Sequence, residues 1–253
     1  MNINTDGPKI LFDFTLFGLN VTITETVLSS LIVALSLGIA AVFLGRNLKK
    51  RPSGRQVLVE KLVTMLYHLV SQTMGAHNIR FAPYIGTLFC SSLFGTLISM
   101  TGFFRSTTAD LSTTLAWALV TSGMVWYYNI KNNGFLGWLK GFTEPIVVMT
   151  PMNVVSEIAQ PFALAFRHFG NVVGGGVLTS MIYGALASAS ALLLGWIPNA
   201  FLSSIPILQV GIPAVLSLYF DLFSGFIQAL VFCMLTMVYI GGACPPPATE
   251  ERK

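Results

Sequence analysis

The chain is predicted to be an all-α integral membrane protein, and three observations carry that reading. Of its 253 residues 54% are hydrophobic and only 9% charged, whereas a soluble domain carries about 25% charged residues. Mean hydropathy is +0.73. Runs such as Val27 to Gly45 are long enough to cross the roughly 30 Å hydrocarbon core at about 1.5 Å per residue. No long polar segment interrupts the chain, so one membrane domain over residues 1–253 is expected: an outer segment 1–26, peripheral helices 27–149, a helical hairpin 150–242 and a cytoplasmic tail 243–253.

Taken in order, the first residues lack the basic start of a secretory signal, with Asp6 and Asp13 against Lys9, so retention is expected. The run Val27 to Gly45 ends in a basic cluster of Arg46, Lys49, Lys50, Arg51 and Arg55. The positive-inside rule makes that cluster cytoplasmic and the N-terminus external. From Gln56 to Met74, Leu58, Leu62, Met65, Leu66, Leu69 and Val70 fill one helical face and Glu60, Lys61, Thr64 and His68 the other, which predicts a surface helix. His68 and His77 read as solvated or capping rather than ligating.

Phe81 to Gly102 is expected to cross outward and Leu111 to Ile130 to return. Asp110, Thr114, Trp117 and Thr121 give the returning helix a polar edge. Asp110 at its start suits an N-cap. Phe135 to Met149 is too short and polar to span and should skim the inner surface. Pro213 to Tyr239 is the last crossing, with Asp221, Ser224, Gln228, Thr236 and Tyr239 assigned to one face. The inferred count is five crossings, with the C-terminus inside.

Asn153 to Gly176 holds the residue that needs a reason. Arg167 lies mid-way along an apolar segment, where a guanidinium costs about 2.5–3.5 kcal/mol on insertion scales and usually faces a partner or a wet cavity. Asn153, Glu157, Gln160, Arg167 and Asn171 are expected to form one polar stripe, with Phe162, Leu164, Phe166, Phe169, Val172 and Val173 opposite. Gly170, Gly174, Gly175 and Gly176 suggest a closely packed helical neighbour. His168, about 100° round the helix from Arg167, suits packing or hydrogen bonding better than catalysis.

Arg167 and Asp221 could form a buried ion pair tying two helices, although desolvation offsets most of such a pair's attraction. They could also mark an ion path, because a guanidinium keeps its proton whereas a carboxylate can bind and release one. No acid on this chain is clearly placed to carry an ion past Arg167, so the carrier is expected on another subunit.

Composition and motifs exclude several classes. No catalytic residue, cofactor or metal is expected: Cys90, Cys233 and Cys244 have no ligand spacing, no nucleophile set converges, and GNVVGGG lacks the Lys-Ser/Thr of a phosphate loop. A net charge of +4 without basic stretches interleaved with aromatics argues against nucleic acid. An anion-binding secondary transporter is the alternative, but the inverted repeats common in that class are not visible.

AFRHFGN around Arg167, SGFIQALVFCMLTMVYI with Gln228, and STTADLSTTLAWAL together resemble subunit a of the F-type ATP synthase, in the expected order from the basic loop to Tyr239. The resemblance implies a non-catalytic stator in a bacterial plasma membrane, beside a ring of c subunits, with b-type peripheral stalk subunits and the remaining synthase subunits as partners besides membrane lipid. It implies two offset half-channels, with the last two helices tilted along the ring. Arg167 matches the family's essential arginine, Asn171 the polar residue one turn on, Gln228 the last-helix glutamine and Asp110 the acid of the outer turn. Glu157 resembles the carboxylate near the inner half-channel. Gly176 stands where many bacterial relatives have glutamate, and Asp221 where they have histidine, which makes Asp221 the expected outer relay.

Overall fold

The structure is a computed structural model that describes residues 10–16, 19–46, 48–50, 54–101, 104–144, 146–194 and 218–246. It opens with a feature the sequence reading did not anticipate. β1 (Ile10–Leu16) pairs antiparallel with β2 (Leu19–Thr24), Asp13 opposite Thr22. The cause is period-two patterning, in which Asp13 and Thr15 alternate with Phe12, Phe14 and Leu16. β2 runs directly into α1 (Glu25–Gly45).

α2 (Arg55–Met74) confirms the amphipathic element. Its two halves do different work. Leu58, Leu62 and Met65 are exposed near its start, whereas Val70 and Met74 are buried near its end, where α2 packs on the last helix. A 3-10 turn, Ala76–Phe81, leads to α3 (Ala82–Leu97).

α4 (Leu111–Gly141) follows the short turn Thr107–Ala109. At Gly134 the backbone adopts φ 73° and ψ 163°, a conformation favoured by glycine, and this kink separates the crossing from the stretch expected to skim the surface. Four helical stretches among the described residues are long and apolar enough to span a membrane: Glu25–Gly45, Ala76–Thr101, Val147–Leu192 and Leu222–Ala243. The fifth expected crossing lies in α4, which is long enough but less apolar. Its hydroxyls turn into the protein instead of toward lipid. Thr114, Thr121 and Ser122 are buried beside Ala118 and Val125, and Thr121 Oγ1 lies 3.1 Å from Tyr84 Oη. The polar edge predicted for this helix is therefore an internal seam.

α5 (Thr150–Leu194) is a single 45-residue helix. It is about 67 Å long, roughly twice the hydrocarbon thickness, so a steep crossing would leave much of it outside the core. Pro161 lies inside it, and because proline has no N–H the carbonyl of Glu157 loses its usual helical donor. A π-helical segment, Leu218–Ser224, leads into α6 (Gly225–Ala243). The core gathers where α3, α4, α5 and α6 meet, around Ile85, Phe232, Met237 and Ile240.

Contacts at both ends close the bundle. His77 Nε2 and Asn78 Nδ2 reach the carbonyl of Cys244 at 2.9 and 3.0 Å, and Asn132 Nδ2 donates to the carbonyl of Ala243 at 2.8 Å. Helix-end carbonyls lack intrahelical donors, so His77 takes the capping role. At the other end of the bundle Gly95 passes so close to Thr107 that an added Cβ would collide with the hydroxyl. Gly95→Leu is expected to displace the Thr107–Ala109 turn and lower the midpoint of thermal disassembly of the complex; an unchanged midpoint would show that this contact is slack.

Candidate functional site

α5 is held in place by the residue beside Arg167. His168 is fully buried, its Nε2 3.1 Å from Ser92 Oγ of α3, and its ring meets Trp117 of α4 and Phe232 of α6 edge-on at centroid distances of 6.2 and 5.3 Å. Consecutive helical residues differ by about 100°. Seating His168 in the core therefore turns Arg167 outward, and Arg167 is exposed.

Arg167 makes no hydrogen bond or ion pair with a described residue. This corrects two expectations. The apolar face expected opposite it is not buried throughout, since Phe162 and Phe166 are 44% and 53% exposed. The closely packed helix anticipated beside the glycines is not found among the described residues either, because a Cβ at Gly170, Gly174 or Gly176 would meet nothing within 4 Å. Among the described residues this wall is mainly apolar and open beside Arg167.

The predicted polar stripe also divides. Asn153 turns to the chain just before α5, its Nδ2 donating to the carbonyls of Phe142 and Glu144 at 2.9 and 3.2 Å. Glu157 faces α4, where Trp126 Nε1 donates to its Oε1 at 2.6 Å. Ten residues separate Glu157 from Arg167, about 15 Å along the helix and about 80° round it. Asn171 remains on the Arg167 side and donates from Nδ2 to Gln228 Oε1 at 2.6 Å, joining α5 to α6. Gln228 is buried, 4% exposed, and its Nε2 has no partner among the described residues.

Asp110 caps α4. Its Oδ1 accepts from the Ser112 amide at 2.9 Å, and its Oδ2 accepts from Thr26 Oγ1 of α1 at 2.6 Å. Beside it runs a buried set of hydroxyls: Ser106 to Thr108 at 2.8 Å, Thr108 to Thr96 at 3.0 Å, and Thr96 to the carbonyl of Ser92, whose own hydroxyl meets His168. Asp221 lies in the π-helical segment, which packs against α5, but its side chain is outside the described residues. The π turn also breaks the phase by which Asp221 and Gln228 were assigned to one α-helical face.

The order of these groups along the bundle matters most. α4 and α5 run antiparallel: Trp126 meets Glu157 and Trp117 meets His168. Nine residues separate the two tryptophans, about 14 Å of helix, and Asp110 lies about 10 Å beyond Trp117. Arg167 thus sits at a level between Glu157 on one side and Asn171, Gln228 and Asp110 on the other. Thr26, Ser92 and Trp126 were not singled out in the sequence, since each meets its partner from at least 31 residues away.

Membrane-crossing helices that present a guanidinium mid-way along one of them, with polar clusters above and below it, fit an ion-translocating membrane subunit. The family model described as ATP synthase A chain matches residues 26–241. The chain is 34% identical to "ATP synthase subunit a, sodium ion specific" of Propionigenium modestum, an alignment covering 94% of this chain and 85% of that protein. It is 33% identical to "ATP synthase subunit a 1" of Crocosphaera subtropica, over 87% and 86%. It is 28% identical to "ATP synthase subunit a" of Staphylococcus carnosus, over 92% and 95%. The chain belongs to the ATP synthase A chain family, as a multi-pass membrane protein that takes part in ion translocation. These relatives do not favour the secondary-transporter alternative.

Proposed function

We propose that this chain is the non-catalytic stator of the synthase's membrane sector and that the Arg167 wall is the face along which a carboxylate-bearing c-ring turns. The observation that carries the reading is the level of Arg167, an exposed cation with no partner among the described residues, between two polar clusters on a mainly apolar surface. An ion entering by one cluster cannot pass a fixed positive charge directly. It neutralises a ring carboxylate, rides round with the rotor and leaves by the other cluster. Asp110, the Asn171–Gln228 pair and Asp221 belong to the outer half-path, and Glu157 with Trp126 to the inner one. The N-terminus lies outside and the C-terminus in the cytoplasm, with b-type stalk subunits holding the peripheral helices.

Small residues beside Arg167 let a ring helix approach. Ala163→Cys is therefore expected to cross-link to a cysteine placed next to the ring carboxylate; exclusive cross-linking to lipid analogues would remove the ring from this face. Asp221→Asn is expected to slow passive proton flux through the complex stripped of its soluble head several-fold, and an unchanged flux would take Asp221 out of the path. Sodium is the second reading, suggested by the relative named for sodium specificity. Acceleration of ATP hydrolysis by added Na⁺ at fixed pH would favour it over H⁺.

A further inference from the structure

We propose that the corner between α1 and α2 binds an anionic phospholipid. A cavity of about 220 Å³ opens there, lined by Arg46, Lys49 and Arg55 together with Phe43, Leu48 and Val59. The three cationic side chains find no acceptor among the described residues. No acid lines the cavity; Glu60, one turn along α2, is held by Gln56 Nε2 at 2.6 Å.

Gln56 holds Lys49 beside Arg55. Gln56 accepts from the Lys49 amide at 3.0 Å and donates to the Lys49 carbonyl at 2.9 Å, so its side chain clasps the segment after α1 against the start of α2. This gives the pocket a charge of one sign, which suits a phosphate.

An apolar groove adjoins the pocket. Phe43 and Arg46 are shared with a groove of about 450 Å³ that runs along α1 past Ala34, Gly38 and Val42, residues four apart on one face. Gly38 leaves it open, since a Cβ there would meet nothing within 4 Å. From Ala34 to Phe43 the groove is about 14 Å long, close to one leaflet of a roughly 30 Å hydrocarbon core. A cationic pocket at the polar end of a membrane span, continuous with an apolar groove one leaflet long, matches a phosphate headgroup with its acyl chain. A soluble anion would not need the groove, and basic pockets at membrane interfaces are known to take such headgroups.

The test uses the intact synthase complex carrying this chain, in nanodiscs of phosphatidylcholine doped with photoactivatable phosphatidylglycerol. Labelling is expected on α1 and around Arg46, and to be competed by unlabelled phosphatidylglycerol but not by inorganic phosphate. R46Q/K49Q/R55Q is expected to weaken it about fivefold per charge removed. Gly38→Leu, which fills the groove and keeps every charge, is expected to weaken it as well, while Lys140→Gln leaves it unchanged. Gly38→Leu and the competition on the unmodified complex still decide the matter if the triple variant fails to assemble. Displacement by inorganic phosphate, equal labelling in Gly38→Leu, equal loss in Lys140→Gln, or cross-linking of the pocket to a partner subunit in place of lipid would each overturn the proposal.

Discussion

Arg167→Ala is expected to reduce ATP synthesis driven by an ion gradient by at least a hundredfold while the complex assembles at its normal level. Both halves follow from the geometry. The side chain is exposed and touches no described polar partner, so its removal leaves no orphaned charge among the described residues, and the stability change should stay within about 0.5 kcal/mol. Coupling is another matter. An ion moving through 100 mV releases about 2.3 kcal/mol, and that energy turns a rotor only if the direct route is shut. Without the cation the two polar clusters are no longer kept apart, and the ring carboxylate has no fixed charge to meet in its ionised form. Arg167→Lys should restore little, because an ammonium is a compact point charge on a flexible stem and cannot offer the planar two-pronged contact of a guanidinium. The measurement is ATP synthesis in inverted vesicles beside an immunoblot for the assembled complex. Normal coupled synthesis in Arg167→Ala would end the proposed role.

His168→Ala is expected to cost about 3 kcal/mol of local packing and to lower coupled synthesis about tenfold or more without touching Arg167. The figure joins the lost bond to Ser92 and two edge-on aromatic contacts with the cavity left behind. The functional loss comes from rotation. With this inner anchor gone, α5 is held less firmly at this level, and the guanidinium one residue earlier shifts with it. His168→Leu separates packing from chemistry, since it refills most of the volume and cannot bond Ser92. Recovery of synthesis in His168→Leu is the expected result. If His168→Leu stays as impaired as His168→Ala, then hydrogen bonding rather than packing sets the position of Arg167.

Much of the candidate site was legible because an ionised group in an apolar run is conspicuous by its cost. Arg167 is found that way from composition alone, and Asp110 from its place at the head of an apolar helix. Periodicity worked for α2 and for the crossings, where one face is set by lipid or water. It failed on α5 between Glu157 and Arg167, because several faces of a long helix meet different neighbours and a polar residue on any of them looks alike in one dimension. The β1–β2 pair was legible too, in the alternation around Asp13, but it was overlooked beside the stronger apolar signal that follows.

By itself the sequence determined that this chain lives in a membrane, roughly where its apolar helices run, and that one permanent cation must be provided for. The free energy of placing side chains in hydrocarbon depends on residue type and local run length, so it can be read without coordinates. Which way that cation points was decided only by the tertiary structure. His168 seats itself among Ser92, Trp117 and Phe232, residues 76, 51 and 64 positions away along the chain, and by filling the core it forces its neighbour onto the open wall. Contacts of that range are fixed by how helices pack against one another.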